Sequence, residues 1–323
     1  MKNLSGPLIR ILLLVAAVAV GWGILSAFGF FRPDIAERIQ NGQQALATGD
    51  VALAESTALA VLEDAPEQYE AWVIAGVAAV EREDFATAQK RFDEVPDDES
   101  AAAVRARLRS GEMQLNMVHR LSTAEDQFRR AYRQQKPPRV GVEQLALLLG
   151  IGGRYWEQGP FLLELIRDEK FNNLHLYLLQ EGRTKPVNPD SIPMYMKTDP
   201  DDPVPQLGWA TQKILVGDFG GAISGLRRIV DTHPEMIEAH AKLGLALLAD
   251  GRREELVDWN RQLPKAAGNH PDIWVVRGAL AELLDQSAAA IRCYWEAVRL
   301  DPNNVKSGLP LGRLLGKVAG ETE

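Results

Sequence analysis

The chain has little of what chemistry most often requires. One cysteine, Cys293, stands among 323 residues, which excludes an intramolecular disulfide and a zinc centre built of cysteines. Its local sequence offers no histidine or basic cluster to favour the thiolate, so a buried, inert thiol is expected. Five histidines are present, His119, His175, His233, His240 and His270. None forms the glutamate-bearing pair at four-residue spacing that a helical zinc site uses. Gly150-Ile151-Gly152-Gly153 is glycine-rich, but no Gly-Lys-Ser/Thr follows it and no strand precedes it; a phosphate loop needs both. A Gly-x-Ser-x-Gly elbow is lacking too. Aromatics make up 7%, and no segment alternates as a half-buried strand does. An excess of positive charge is also missing: the net charge is −8, which argues against general nucleic-acid affinity. The expectation is a chain with no catalytic residues, no cofactor and no metal, and not an enzyme.

What the sequence does have is a period. Trp274, Gly278, Ala290, Tyr294, Ala297 and Pro302 form one set of columns, and steps of 34 residues repeat it. One step back brings Gly244, with Leu243 before it and Gly251 after. A second brings Ala210, followed in register by Gly217-Asp218, Ala222 and Pro234; one step forward brings Gly312 after Leu311. A fixed period of this size means stacked supersecondary units, none able to bury its apolar face alone. Each unit reads as two antiparallel helices. Glycine or alanine in the first helix lets the second approach closely. Gly217-Asp218 and Gly251 fall where the first helix must stop and reverse, in a conformation that favours positive φ. Tyr294 and Trp274 are read as large plugs between neighbouring units, and Pro234 and Pro302 as residues that end the second helix.

At these residues the chain resembles the tetratricopeptide repeat family, and the unit at 271–304 is a near-complete match. The N-terminal half carries the pattern as well: Gly42, Gly49-Asp50, Ala54 and Pro66 in one unit, then Trp72, Gly76, Ala88 and Phe92 in the next. A third keeps Ala124, Phe128 and Ala131 but has Glu112 in the glycine column. Residues 139–182 read as a degenerate unit, with an apolar Leu145–Leu149 run broken by glycines. Pro186, Pro189, Pro193, Pro200, Pro203 and Pro205 crowd one stretch with several aspartates. That stretch reads as an ordered loop or linker, and the boundary between two repeat blocks is placed there. The expected architecture is all-α, a helical-hairpin solenoid in two blocks. Its parts are a tail and transmembrane helix at 1–32, repeats at 33–138, a degenerate unit and linker at 139–202, and repeats with a terminal helix at 203–323.

The N-terminus supplies the transmembrane element. Residues 11–31 carry no charge, and at about 1.5 Å per residue they span about 30 Å, the thickness of a bilayer core. A cleaved signal peptide is the rival, with Ala17-Val18-Ala19 as a small-x-small site, but its apolar core runs to only about 7–15 residues. An uncleaved anchor touching the lipid bilayer through 11–31 is expected. Lys2 and Arg10 precede the span while Arg32 and Arg38 follow it, so the charge counts nearly tie. A short leading tail that stays inside places the repeats outside the cytoplasm, on an inner or plasma membrane, with a cytoplasmic array as the alternative.

The resemblance implies a binding groove lined by inner positions of each first helix. Carried onto this chain these are Val73, Val77 and Val80; Leu207, Thr211 and Ile214; Ala241, Leu245 and Leu248; and Val275, Ala279 and Glu282. Family members that clamp a carboxylate tail carry lysine and asparagine at such places. Here the face is apolar, suiting an amphipathic helix or apolar peptide, with packing against neighbouring helices as the alternative. A second candidate surface is basic: Arg105, Arg107, Arg109, Arg129, Arg130 and Arg133 crowd the third unit. It reads either as a face for an acidic partner or anionic lipid, or as a solvated face covering the apolar repeat beneath. The expected function is a membrane-anchored scaffold that holds a protein partner in the groove, with no nucleic acid. The alternative is an accessory or catalytic subunit of an envelope enzyme complex with its site in 139–202, which a pocket of converging polar side chains there would favour.

Overall fold

The computed structural model describes residues 34–133, 139–167, 191–302 and 304–320, and among them every regular element is helical. Clustering of backbone contacts separates Met1–Ala106 from Arg107–Glu323. In the first unit, α1 (Ile35–Ala47) and α2 (Val51–Asp64) form one hairpin, and α3 (Tyr69–Glu81) and α4 (Phe85–Asp93) form the next. The division falls within α5 (Ala101–Met113). The second unit continues with α6 (Leu121–Tyr132), α7 (Arg139–Ile151), α8 (Tyr155–Arg167), α9 (Ser191–Thr198), α10 (Pro203–Leu215) and α11 (Phe219–Thr232). It closes with α12 (Ile237–Ala249), α13 (Arg253–Gln262), α14 (Pro271–Leu283), α15 (Ser287–Leu300) and α16 (Val305–Gly320).

The hairpins turn by one local device. A residue of positive φ ends the first helix: Gly49 (80°), Glu83 (61°), Gly217 (81°), Gly251 (72°) and Asp285 (57°). In three of these turns the next residue is an aspartate whose carboxylate caps the second helix. Asp50 accepts from the Leu53 N–H at 3.1 Å, Asp84 from Thr87 at 3.1 Å and Asp218 from Gly221 at 2.9 Å. Each cap satisfies a donor that the helix itself leaves unpaired.

The glycine column has a direct steric cause. A β-carbon on Gly76 would lie 2.5 Å from the Phe92 ring, and one on Gly278 would lie 2.6 Å from the Tyr294 ring. Gly244 stands in the same relation to Trp259 at 2.4 Å, and Gly111 to Phe128 at 2.7 Å. An aromatic ring of the second helix thus lies against the glycine of the first, and alanine is already too large. Tyr294 seals its own unit and also shares a buried cluster with Leu311 and Leu314 of α16, as a plug between neighbouring units does. One expectation is corrected. In the third unit the glycine is Gly111, not the column position Glu112. A π-helical turn at Gln114–Val118 adds a residue before His119 reverses the chain in a left-handed conformation, so the glycine-to-ring interval lengthens by one.

The proline-rich stretch also differs from the reading of a linker. Its described part folds into α9, and Pro203 and Pro205 begin α10, where a missing N–H costs nothing. Val204 belongs to one core cluster with Leu121, Phe128, Leu145, Leu148 and Ile151. Asp202, capping α10 through the Val204 N–H at 3.0 Å, also accepts from the Ser122 N–H at 3.0 Å. Gly208 lets α10 approach the end of α7 so closely that a β-carbon there would meet the Ile151 carbonyl oxygen. The stretch is therefore stitched into the second unit, and the compact units divide at Ala106 instead. Among the described residues no helix is long and apolar enough to cross a membrane; the span expected at 11–31 lies outside them.

Candidate partner-binding cleft

Within the second unit, α8 faces α10, α12 and the start of α14 across a cleft of about 870 Å³. Thr211, Ile214 and Leu215 of α10 and Leu245 of α12 supply one side of it, and Tyr155, Trp156 and Leu163 of α8 the other. The apolar lining is well exposed, Leu163 at 59% and Leu215 at 67%, so the walls are not closed on each other.

The position of α8 is set by a charged knot at its first turn. Arg154 donates through Nη1 to both carboxylate oxygens of Glu125 at 2.7 Å, and through Nε and Nη2 to Glu157 at 3.0 and 2.6 Å. Arg129 bridges the same two carboxylates at 2.7 and 3.0 Å. Two guanidinium forks and two carboxylates neutralise each other in a largely buried place, where charge-assisted bonds are strong. Gln158 adds a bond from Nε2 to the Ala146 carbonyl at 2.7 Å. Gly153, at φ 66°, packs so near Thr211 that a β-carbon would lie 2.5 Å from its hydroxyl. The turn before α8 therefore rests directly on α10.

One end of the cleft is polar. Glu238 Oε2 accepts from His270 Nε2 at 2.6 Å, while its Oε1 pairs with Lys242 Nζ at 3.1 Å. Burial acts to raise the Glu238 carboxyl, but the His270 hydrogen bond and the Lys242 charge outweigh it and bring it down to about 2. Lys242 Nζ also stands 5.6 Å from the centre of the Tyr155 ring, within cation–π range. Lys306 and Asp272, 3.7 Å apart, also line the cleft.

The structure distributes the twelve residues expected in the groove unequally. It brings Thr211, Ile214 and Leu245 to the cleft. Val73, Leu207, Ala241 and Val275 are buried in the hairpin cores. Leu248 is half-buried and packs on the same core cluster as Leu245 and Ile214. Val77, Val80 and Ala279 are half-buried. Glu282 accepts from the Tyr294 hydroxyl at 2.8 Å and pairs with Arg313. Tyr155, Trp156, Leu163, Glu238 and Lys242 were not anticipated. A Tyr-Trp pair opening a helix, and a Glu–Lys pair one turn apart, were the signals available for them.

The arginines of the third unit do not gather into a free basic face. Arg107 is 2% exposed. Arg105 pairs with Glu70, Arg109 with Glu112 at 2.8 Å, and Arg130 with Asp126 at 3.8 Å. Arg129 belongs to the knot already described, and Arg133 is exposed.

Each described histidine makes a local contact within the repeats. His240 shares a structural role with two tryptophans: its Nε2 lies 3.0 Å from the Pro234 carbonyl, as Trp72 donates to Pro66 at 2.9 Å and Trp274 to Gly268 at 2.8 Å. His119 contacts the Leu115 carbonyl at 3.2 Å, and His233 lies 3.5 Å from Glu235; His175 lies outside the described residues. Among the described residues no group of three or more His, Cys, Asp and Glu side chains could hold a metal ion. Cys293 is half-buried, and burial raises its thiol despite the nearby Arg277 and Arg292.

No family model and no curated protein matches the sequence. Among solved structures the chain is similar to a tetratricopeptide repeat protein from Parabacteroides merdae ATCC 43184, at 10% identity and a TM-score of 0.37, over 87% of this chain and 98% of that one. It is similar to the P58(IPK) TPR domain at 16% identity and a TM-score of 0.32, over 90% and 100%. A third likeness is to the APC/C hetero-tetramer Cut9–Hcn1, at 12% identity and a TM-score of 0.38, over 88% of this chain and 54% of that one. The hairpin repeat itself is seen in the chain's own packing, in four rings lying on four glycines.

Proposed function

We propose that this protein is a membrane-anchored interaction scaffold that holds an apolar peptide or amphipathic helix of a partner in the cleft between α8 and α10–α12. The cleft carries the reading. Its walls present exposed Tyr155, Trp156, Leu163 and Leu215 beside Ile214 and Leu245, and burial of such surface is the main source of affinity for a docked segment. Exposed apolar residues that cluster, rather than scatter singly, mark interaction surfaces. The ionisable groups at the cleft support binding over chemistry. Glu157 is tied to two arginines, Glu238 to His270 and Lys242, and Lys306 to Asp272. Among the described residues of 139–202, the side chains with polar groups at the cleft are Tyr155, Trp156 and Glu157.

A photo-crosslinking amino acid at position 163, compared with one at the outward-facing Arg292, tests the cleft in cells. The expected result is one defined protein adduct from position 163 that Leu215→Glu abolishes. Adducts equal at both positions would move the binding surface elsewhere. The anchor belongs to the same proposal. Residues 11–31 should keep the chain in membranes through an alkaline carbonate wash, and alkaline phosphatase fused after Glu323 should be active, as it is only outside the cytoplasm. A soluble chain, or a silent but well-expressed fusion, overturns the anchor or its orientation respectively.

A further inference from the structure

Away from the cleft, a second cavity of about 450 Å³ lies over α12, with walls from α11 and α13. None of the described residues that line it lines the cleft. Its buried lining includes His240, Leu243 and Leu247 of α12 and Trp259 of α13. Its outer lining is charged, with Arg227 and Asp231 from α11 and Glu255 and Asp258 from α13. The place in the repeat explains the space. Trp72, His240 and Trp274 each bond to a carbonyl just before their own helix. The imidazole is therefore seated as the two indoles are, but it has one ring where they have two, and the cavity opens against it.

Two other grooves of the array show what lies at this level. Over α14, the Arg277 guanidinium stands 4.8 Å from the centre of the Trp274 ring, and its Nε donates to Asn260 of α13 at 2.8 Å. Over α3, Arg91 of α4 donates to the Ala75 carbonyl at 2.7 Å and pairs with Glu55 of α2 at 2.7 Å. Arg277 and Ala75 each follow the tryptophan by one helical turn. Over α12 the same place is Leu243, which is apolar. Among the described residues that line the cavity Arg227 is the one Lys or Arg, and it is bound to Glu255.

Charge then selects the occupant. One turn beyond the Arg227–Glu255 pair, α11 contributes Asp231 and α13 contributes Asp258. The walls thus present a cation and an anion at one level and two anions at the next. Asp258 also pairs with Arg261 at 3.2 Å, but the two side chains are 64% and 73% exposed, and surface pairs of that kind contribute little. His240 adds no positive charge at neutral pH, because burial pushes its imidazole down. An arginine side chain fits each part of this lining. Its stem covers apolar surface, its planar head stacks on aromatic rings, and its charge complements paired carboxylates.

We propose that the cavity between α11 and α13 is a pocket for an arginine side chain presented by a protein partner, with the guanidinium held by Asp231 and Asp258 against the His240 and Trp259 rings.

The probe is arginine blocked as its N-acetyl amide, observed by saturation-transfer NMR with the detergent-solubilised full-length chain. Saturable binding is expected. Blocked citrulline, which puts a neutral urea where the guanidinium was, should bind at least about tenfold more weakly. Asp231→Asn together with Asp258→Asn should weaken the blocked arginine by a similar factor at an unchanged melting temperature, since both side chains are exposed. His240→Trp should abolish binding by filling the cavity without lowering the melting temperature, because an indole can make the bond to Pro234 that Trp72 and Trp274 make to their own carbonyls. Absence of saturable binding up to high millimolar probe overturns the proposal, as does equal binding of blocked citrulline or equal binding to the paired Asn variant. Free arginine binding at least about tenfold more tightly than the blocked residue would assign the pocket to the amino acid itself and overturn the protein partner.

Discussion

At the residue scale the fold turns on a few contacts that leave no slack. The Tyr294 ring lies where a β-carbon of Gly278 would be, so Gly278→Leu forces the helices apart and should cost about 1–3 kcal/mol. Arg292→Leu, at an exposed position of the adjoining helix, should change the melting temperature little. The turn residues act in the opposite direction. Asp285 holds φ 57° and Glu83 61° where other units place glycine, and a left-handed conformation costs an ordinary residue about 1–2 kcal/mol. Part of that is offset by the greater freedom of glycine in the unfolded chain. Asp285→Gly should therefore raise the melting temperature modestly, and a fall would show that its side chain holds the turn. Much of this was legible, because glycine in the first helix and Gly-Asp at the turn are dictated by sterics that any such hairpin obeys. Gly111 was not, since the π-helical turn that shifts it leaves no mark in residue type.

At the element scale α8 is the unexpected piece. Its residues fall in the stretch read as a degenerate unit, where glycines break the apolar Leu145–Leu149 run. The packing gives the reason for the departure: the turn before α8 rests on α10 through Gly153, and Arg154 ties it to α6. Neither link spans a fixed interval, so periodicity could not announce them. Arg154→Met would leave Glu125, 8% exposed, with less of its countercharge, and breaking a buried pair costs about 3–5 kcal/mol. Hydrogen exchange should rise along α8 first. At the other end of the cleft, Glu238 gives a pH dependence. Its carboxyl is held at about 2 in the folded chain against an ordinary 4.5, so the unfolded chain takes up the proton first. The contribution is complete above about pH 4.5 and is lost as pH falls toward 2. Glu238→Gln should lower stability at neutral pH and flatten the acid limb of the stability curve across that window. An unchanged acid limb would mean the His270 and Lys242 contacts are not made in solution.

At the scale of the whole molecule, the period showed the kind of structure but not where it divides. Proline density pointed to 186–205, yet the described prolines of that stretch start helices or lie beside one, and its described part shares a core with α6 and α7. The division at Ala106 runs through a continuous helix, which no change of composition signals. Arrays of this kind are stabilised by nearest-neighbour contacts rather than by one central core, so a defect should stay in its own unit. Phe92 is fully buried on Gly76 in the first unit, and Phe92→Ala should cost that unit about 3–5 kcal/mol. The second unit has its own clusters around Leu226, Phe128 and Tyr294. Hydrogen exchange read by mass spectrometry should then show α3 and α4 losing protection in the variant while α14 and α15 keep theirs. Equal loss in both places would show that the chain unfolds as one cooperative body, and that the two compact units are a feature of geometry alone.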